Sequence, residues 1–401
     1  MTDARSDRGA GARVLHVVPA LFERRGGVVG GAERYALELA RHMADEVPTA
    51  LVTFGDEGRS ETVGNLRVRV VGGAWYVRGQ RTNPLAPGLF AELRRADVVH
   101  CHQHHVLASS LAALACRLTG RAVFATDLGG GGWDVSGYVS TDRWFHGHLH
   151  ISEYSREVSG HGADARARVI LGGVDAAKFS PDESVARDGQ VLFVGRLLPH
   201  KGVDDLVRAL PEGWTLEVIG QPYSPEYVRA LERLAEGKRL VLRHDCDDAA
   251  LVRAYREAMC VVLPSVYRDM YGNETRAPEL LGQTLLEGMA CGAPAVCTGV
   301  AAMPEVVEDG VTGFVVPPND PAALREKIRW LREHPAEAAR MGRAGRRRVL
   351  EKFTWPAVVR RCLESYAAAG RTSSRLRAER QPSAGGSDAG SAGVNARASK
   401  V

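Results

Sequence analysis

The chain has 401 residues, too many for one ordinary hydrophobic core and enough for two domains of roughly 150–200 residues each. Its 52 basic and 48 acidic side chains leave a formal +4, and residues 370–401, with six Lys/Arg against two Asp/Glu, account for all of it, so the folded part lacks the basic excess of a nucleic-acid binder. Seven scattered cysteines without a C-x2-C pair argue against a disulfide framework, and no apolar run nears the ~20 residues of a membrane span. With no apolar stretch of the signal-peptide kind at the start, a cytoplasmic, water-soluble chain is expected, with peripheral membrane contact left open.

Residues 1–12 are polar and read as loose, and 13–18 read as a first buried parallel strand. A glycine-rich loop through Gly26, Gly27, Gly30 and Gly31 follows, then a helix over 32–43 with Tyr35, Leu39 and Met43 on one face. Strand, glycine loop and helix start together make a geometry in which backbone N–H groups can approach a phosphate. That singles out Gly30 and Gly31, with a simple tight turn as the alternative.

Strands are expected again at 50–54, 67–71 and 97–100, and their alternation with helical segments argues for an open, mostly parallel sheet. Two alternating histidine trios, His100/His102/His104 and His146/His148/His150, sit at strand ends. They read as packing or cleft-lining residues, with zinc ligation the least favoured reading. Asp127 ends another strand and precedes four glycines, 129–132. Its carboxylate could accept a hydrogen bond from a ligand, orient a nucleophile, or cap a turn, and the glycines suggest close approach of backbone to a ligand.

Residues 178–190 read as a linker. The second half opens with a strand at 191–194 and a loop carrying Arg196 and Lys201 before a helix. Cations placed there, beyond a strand's carboxyl end, can reach a bound phosphate, Arg as a planar fork and Lys as a point charge. Further strands are expected at 214–220, 240–243, 260–263 and 295–297. Between the last two, Glu279 and Glu287 stand eight positions apart. A continuous helix of about 3.6 residues per turn would put both on one face. Alternatively Glu279 lies on a loop, Gly282 turns into the helix, and the helix start at Gln283, Thr284 and Leu285 offers its amides to an anion between the acids. The polar, aromatic stretch 266–276 lies beside this site. Two closing helices are expected at 321–341 and 345–369, with Arg346, Arg347 and Arg348 on a solvated face, and the Ser/Gly/Ala/Arg-rich 370–401 as a disordered tail.

These pieces, taken with Pro304-Glu305 and the run from Thr312 to Pro317, resemble the retaining glycosyltransferases of family 4 in order and spacing. The resemblance implies an α/β chain of GT-B fold, two facing Rossmann-like domains with a cleft between them. Residues 13–177 would form the acceptor domain, 191–345 the nucleotide-sugar donor domain, and 346–369 a helix packing back on the first domain. It further implies that Glu287 holds the ribose hydroxyls, Glu279 contacts the transferred sugar, and Gly30 and Gly31 face donor and acceptor. Asp127 stands where many members have a His, Gly172 where an Asn is usual, Asp245 near a usual Gly, and 266–276 exceeds the usual spacing.

The implied reaction moves a sugar from a nucleotide-diphosphate sugar to a small-molecule or glycan acceptor with retention. Arg196, Lys201 and the helix start near Thr284 would stabilise the departing diphosphate. With that positive field supplied by the chain itself, no metal is demanded and no cofactor is expected. Nucleotide-sugar epimerases of the same fold, and a degenerate copy acting as a binding partner, are the alternatives.

Overall fold

The computed structural model describes residues 12–21, 30–129, 132–187 and 189–380, with side chains described to residue 369. Most of the N-terminal stretch, the loop glycines Gly26 and Gly27, Gly130 and Gly131, and residues 381–401 lie outside the described residues.

The first half builds β1 (Val14–Val17), α1 (Gly31–Met43), β2 (Thr49–Phe54), β3 (Arg59–Val63) and β4 (Leu66–Val71). A small ribbon, β5 (Trp75–Tyr76) with β6 (Pro84–Leu85), precedes α2 (Leu89–Leu93), β7 (Val98–His102), α3 (Leu107–Thr119), β8 (Ala122–Thr126), β9 (Gly147–His150), α4 (Glu153–Val158) and β10 (Ala167–Val169). Eight of these strands form one sheet in the order β10-β9-β8-β7-β1-β2-β4-β3. Its pairs are parallel except β3 with β4. β1, β7 and β9 are buried along their whole length, as strands covered on both faces must be. β3, Arg-Ser-Glu-Thr-Val, is exposed throughout and lacks the apolar alternation by which the other strands can be read.

The second half builds β11 (Val191–Val194), α5 (Val203–Ala209), β12 (Thr215–Ile219), α6 (Pro225–Leu234), β13 (Arg239–Arg243), α7 (Asp248–Glu257) and β14 (Cys260–Leu263). α8 (Gln283–Ala290), β15 (Ala295–Thr298), α9 (Met303–Val306), β16 (Gly313–Val316), α10 (Pro321–Glu333), α11 (Pro335–Lys352) and α12 (Trp355–Arg380) complete it. Its all-parallel sheet runs β13-β12-β11-β14-β15-β16. The order reverses between β11 and β14, and the crevice beyond such a switch point is where doubly wound sheets bind ligands.

The closing segment differs from expectation. Three helices stand where two were expected, and 346–352 belong to α11, so the helix that returns to the first domain begins at Trp355. It continues to Arg380, past the expected start of the tail at residue 370. Trp355 packs against Tyr35 and His42 of α1 at ring separations of 5.2 and 5.8 Å. Tyr366 meets His100 Nδ1 at 2.8 Å. Arg346 and Arg348 are not a solvated face. Arg346 donates to the carbonyls of Ala176, Phe179 and Ala290, and Arg348 to those of Glu305 and Val306, because α11 lies on α8 with these guanidiniums pointing inward. Arg347 alone of the three is exposed. The expected linker is likewise anchored: Phe179 is buried, and Arg187 donates to the carbonyls of Tyr255, Ala258 and Cys291.

His16, His100 and His102 are buried in the centre of the first sheet and bonded there. His16 Nδ1 meets His102 Nε2 at 2.8 Å, and His100 Nε2 meets Thr126 Oγ1 at 2.7 Å. Burial lowers the pKa of His16 to about 3. Its neutral form is thus favoured in the folded state, and the unfolded chain binds the extra proton below about 6.5. Stability is therefore expected to fall as pH drops from 6.5 towards 3, by about 2 kcal/mol at pH 5 from this residue alone. Urea unfolding at pH 7 and pH 5 checks this: His16→Gln should flatten the decline, and a profile already flat in the unsubstituted protein would contradict it.

Candidate active site in the interdomain cleft

The loop after β11 carries Arg196 and Lys201 towards the first domain. A turn over Pro199–Lys201 ends at Gly202, whose φ of 66° is left-handed and whose hydrogen side abuts Pro264 O so closely that a Cβ would collide with it. This close approach, open only to glycine, sets Lys201 beside the end of β14. There Lys201, 8% exposed, pairs with Glu279 Oε1 and donates to Pro278 O at 3.3 Å. Ser265 Oγ donates to the same Glu279 oxygen at 3.0 Å. Ser265 is held in turn by Thr298, whose hydroxyl donates to its carbonyl. Arg196 is exposed, its guanidinium 5.8 Å from the ring centre of Tyr223. Across the cleft, burial raises the Glu33 carboxyl above its ordinary pKa, and the charge of Arg196 acts in the opposite direction.

Of the two local geometries weighed for the paired acids, the loop-then-helix one is present. Glu279 lies on the loop, Gly282 at φ 93° caps α8 without a side-chain bond, and Glu287 follows inside the helix. Gln283 N–H and Thr284 N–H have no hydrogen-bond partner among the described residues, so they are open to an anion. Leu285 departs from the expectation, because its N–H is already bonded to Gly282 O at 3.0 Å. The Gln283 side chain donates to Gly173 O at 3.0 Å, tying α8 to the first domain. Glu287 Oε2 accepts from Tyr255 OH at 2.8 Å, and burial raises its pKa, opposed by hydrogen bonds from Tyr255 and Gln283.

On the facing wall, Gly30 precedes α1 in extended conformation, and a Cβ on Gly31 would meet nothing within 4 Å. No contact among the described residues therefore demands a glycine at 31. A cavity of about 150 Å³ opens between the ends of β1, β7 and β8, lined among others by Glu33, His102, Gln103, Leu128 and Gly129. Gln103 holds a φ of 109°, unusual for a side-chain-bearing residue and of a kind that clusters at functional sites. Its amide donates to Gly129 O at 3.0 Å, and Asp127 Oδ1 accepts from Gly129 N at 3.2 Å. The turn-capping reading of Asp127 is thus the one present in its contacts, and burial raises its pKa.

The contacts by which several residues position this site went unread in the sequence. Glu305 accepts from the N–H groups of Glu153 and Tyr154 at 2.8 and 2.7 Å, so one domain caps a helix of the other. Ser152 Oγ donates to Leu280 O at 2.6 Å. The 266–276 stretch is fastened at both ends: Val266 N to His200 O at 2.9 Å, and Arg276 O to Tyr154 OH at 2.6 Å. Gly172 packs against Leu281, whose terminal methyl groups would have to shift to admit a Cβ there.

Residues 29–178 match the model of Glycosyltransferase Family 4 and residues 176–348 that of Glycosyl transferases group 1, so the two meet at the head of the expected linker. Over 317 residues the chain is 31% identical to the glycogen synthase of Mycobacterium tuberculosis, covering 72% of this chain and 71% of that one. The chain is a family 4 glycosyltransferase. It is also 32% identical over 224 residues to a GDP-mannose-dependent alpha-(1-6)-phosphatidylinositol monomannoside mannosyltransferase of Mycolicibacterium smegmatis, covering 51% of this chain and 58% of that one. Among solved structures, Anabaena Alr3699/HepE in complex with UDP and glucose superposes with a TM-score of 0.70 at 19% identity, over 89% of this chain and all of that one. The catalytic domain of Starch Synthase IV from Arabidopsis thaliana, bound to ADP and acarbose, gives 0.65 at 16% identity, over 90% and 99% of the two chains. At those identities the likeness concerns the fold, and it is the GT-B fold that the glycosyltransferase shares. No helix among its described residues is long and apolar enough to cross a membrane.

Proposed function

We propose that the enzyme transfers a sugar from a nucleotide-diphosphate sugar to a hydroxyl of a small-molecule or glycan acceptor, with retention and without a metal. The observation that carries this reading is the Lys201–Glu279 pair set beside the open amides of Gln283 and Thr284. A diphosphate placed there meets one buried cation, the exposed guanidinium of Arg196 and a helix N-terminus. Charge growing on the departing phosphate is stabilised without reorganisation. Glu279, held by Lys201 and Ser265, is oriented to accept from hydroxyls of the transferred sugar. Glu287, steadied by Tyr255, takes the ribose. The acceptor enters over Gly30 and Gly31 into the cavity at Glu33, His102 and Gln103, where Asp127 shapes the wall through its cap on Gly129. A cytoplasmic location fits such a reaction.

A thermal-shift series with UDP, GDP, ADP and dTDP tests the donor site. One nucleotide at ~100 times its dissociation constant should add about 2.7 kcal/mol of stability. No shift with any nucleoside diphosphate would remove the reading. With the donor found, NMR of the product's anomeric centre decides retention. Glu287→Ala is expected to raise the donor KM by about 10–100-fold with kcat nearly kept, the size of a charged hydrogen bond lost from ground and transition state alike. Tyr255→Phe should give a smaller rise in the same parameter. A fall in kcat at constant KM would place Glu287 elsewhere in the reaction.

A further inference from the structure

The two buried histidine groups of the first domain are built differently. Around His16, His100 and His102 four ring nitrogens make short bonds of 2.7–2.8 Å to one another, to Thr126 and to Tyr366, while His102 Nδ1 has no partner among the described residues. One nitrogen of each ring also lies within 4.8 Å of the other two, but no carboxylate joins them. The second group gathers four segments: His104 after β7, Asp142 on a turn before β9, His148 on β9, and His161 after α4. Its three imidazoles are 3, 2 and 7% exposed. Yet their approaches to Asp142 are all long. His104 Nε2 and His161 Nε2 lie 3.5 and 3.8 Å from Asp142 Oδ1, and His148 Nε2 lies 3.3 Å from the Asp142 carbonyl oxygen. Thr141 Oγ1 lies 3.3 Å from His104 Nε2. None of these is a hydrogen bond of ordinary length, although the three imidazoles are buried.

One ligand atom from each of Asp142, His148 and His161 lies within 4.8 Å of the other two. Ligands about a zinc ion, at bonds of about 2.0–2.1 Å, stand about 3.3–3.4 Å apart, so a modest inward movement brings these three to that spacing. His104, with Nε2 3.5 Å from Asp142 Oδ1, stands outside the three and has further to turn. Asp142 can supply that movement, since its side chain is 42% exposed and sits on a turn. His150 Nε2 meets His161 Nδ1 at 3.1 Å, the kind of outer partner that fixes the ring of a metal-bound histidine.

We propose that Asp142, His148 and His161, with His104 as fourth ligand, bind one divalent transition-metal ion of the zinc type. The ion ties the turn at Asp142 and the chain at His161 to β9. Three imidazoles and one carboxylate suit zinc in number and softness, and the carboxylate offsets part of the ion's charge. The site is structural, independent of the metal-free transfer proposed for the cleft.

The test is a titration of the full chain, stripped with chelator, with cobalt(II) followed by its visible absorption. One equivalent should bind with the intense bands of tetrahedral coordination, and zinc should displace it. Asp142→Asn and His161→Gln should each weaken uptake at least about tenfold. His16→Gln, in the bonded group, should leave uptake unchanged. Circular dichroism and the thermal response to nucleotide report that each variant is folded, and the half-exposed Asp142 makes its variant the least disruptive. Zinc should also raise the melting temperature of the unsubstituted chain and not that of Asp142→Asn. Uptake equal in Asp142→Asn, uptake lost in His16→Gln, or no tetrahedral cobalt spectrum would each overturn the proposal.

Discussion

Lys201→Ala is expected to lower turnover by about 10²–10³-fold at saturating donor and to lower the melting temperature as well. The first effect is that of losing a charge-stabilising donor in a preorganised site. The second follows from burial: Glu279 would be left with Ser265 alone, and removing one partner of a buried ion pair costs about 3–5 kcal/mol. A double variant separates the two. Lys201→Met with Glu279→Gln leaves no unpaired charge, so it should recover most of the stability and none of the activity. Recovery of both would reduce the pair to a structural clasp. Steady-state kinetics and thermal unfolding on the two single variants and the double one make the comparison.

Arg196→Ala should cost a similar 10²–10³-fold in kcat, yet leave the melting temperature almost unchanged. The difference from Lys201 is one of burial. Arg196 is exposed and reaches over Tyr223 towards the cleft, so little packing depends on it. Arg196→Lys should recover part of the loss, keeping the charge without the planar fork. Near-normal turnover of Arg196→Ala at saturating donor would remove it from any part in stabilising the leaving group.

Where a residue's role is set by its own neighbours in sequence, it could be read in advance. The apolar run before Pro264, the turn at Gly282 and the acids at 279 and 287 make the loop-then-helix geometry one of the two that local chemistry allows, and the structure selects it. The Arg196–Lys201 loop follows from a strand end and Gly202 in the same way. Leu285 was misjudged because a tightened first turn consumes its N–H, a detail of hydrogen bonding that periodicity does not encode. What stayed hidden is contact between distant segments. Arg346 and Arg348 look like a charged surface run until α8 and the 176–179 stretch, for Arg346, and α9, for Arg348, supply carbonyls more than forty residues away. Glu305 capping α4, Tyr154 reaching Arg276, and His161 joining His148 have no signature in spacing. The alternating trios were partly misleading for the same reason. His146 accepts from Val123 N on its own, while His16 and His161, outside both trios, complete the two clusters.

A crystal of the enzyme grown with the nucleoside diphosphate that stabilises it most is the direct test of the cleft assignment. The diphosphate is expected between Arg196, Lys201 and the amides of Gln283 and Thr284, with the ribose hydroxyls on Glu287. Density for the nucleotide away from the β11–β14 crevice, or a diphosphate touching neither Lys201 nor the start of α8, would contradict it.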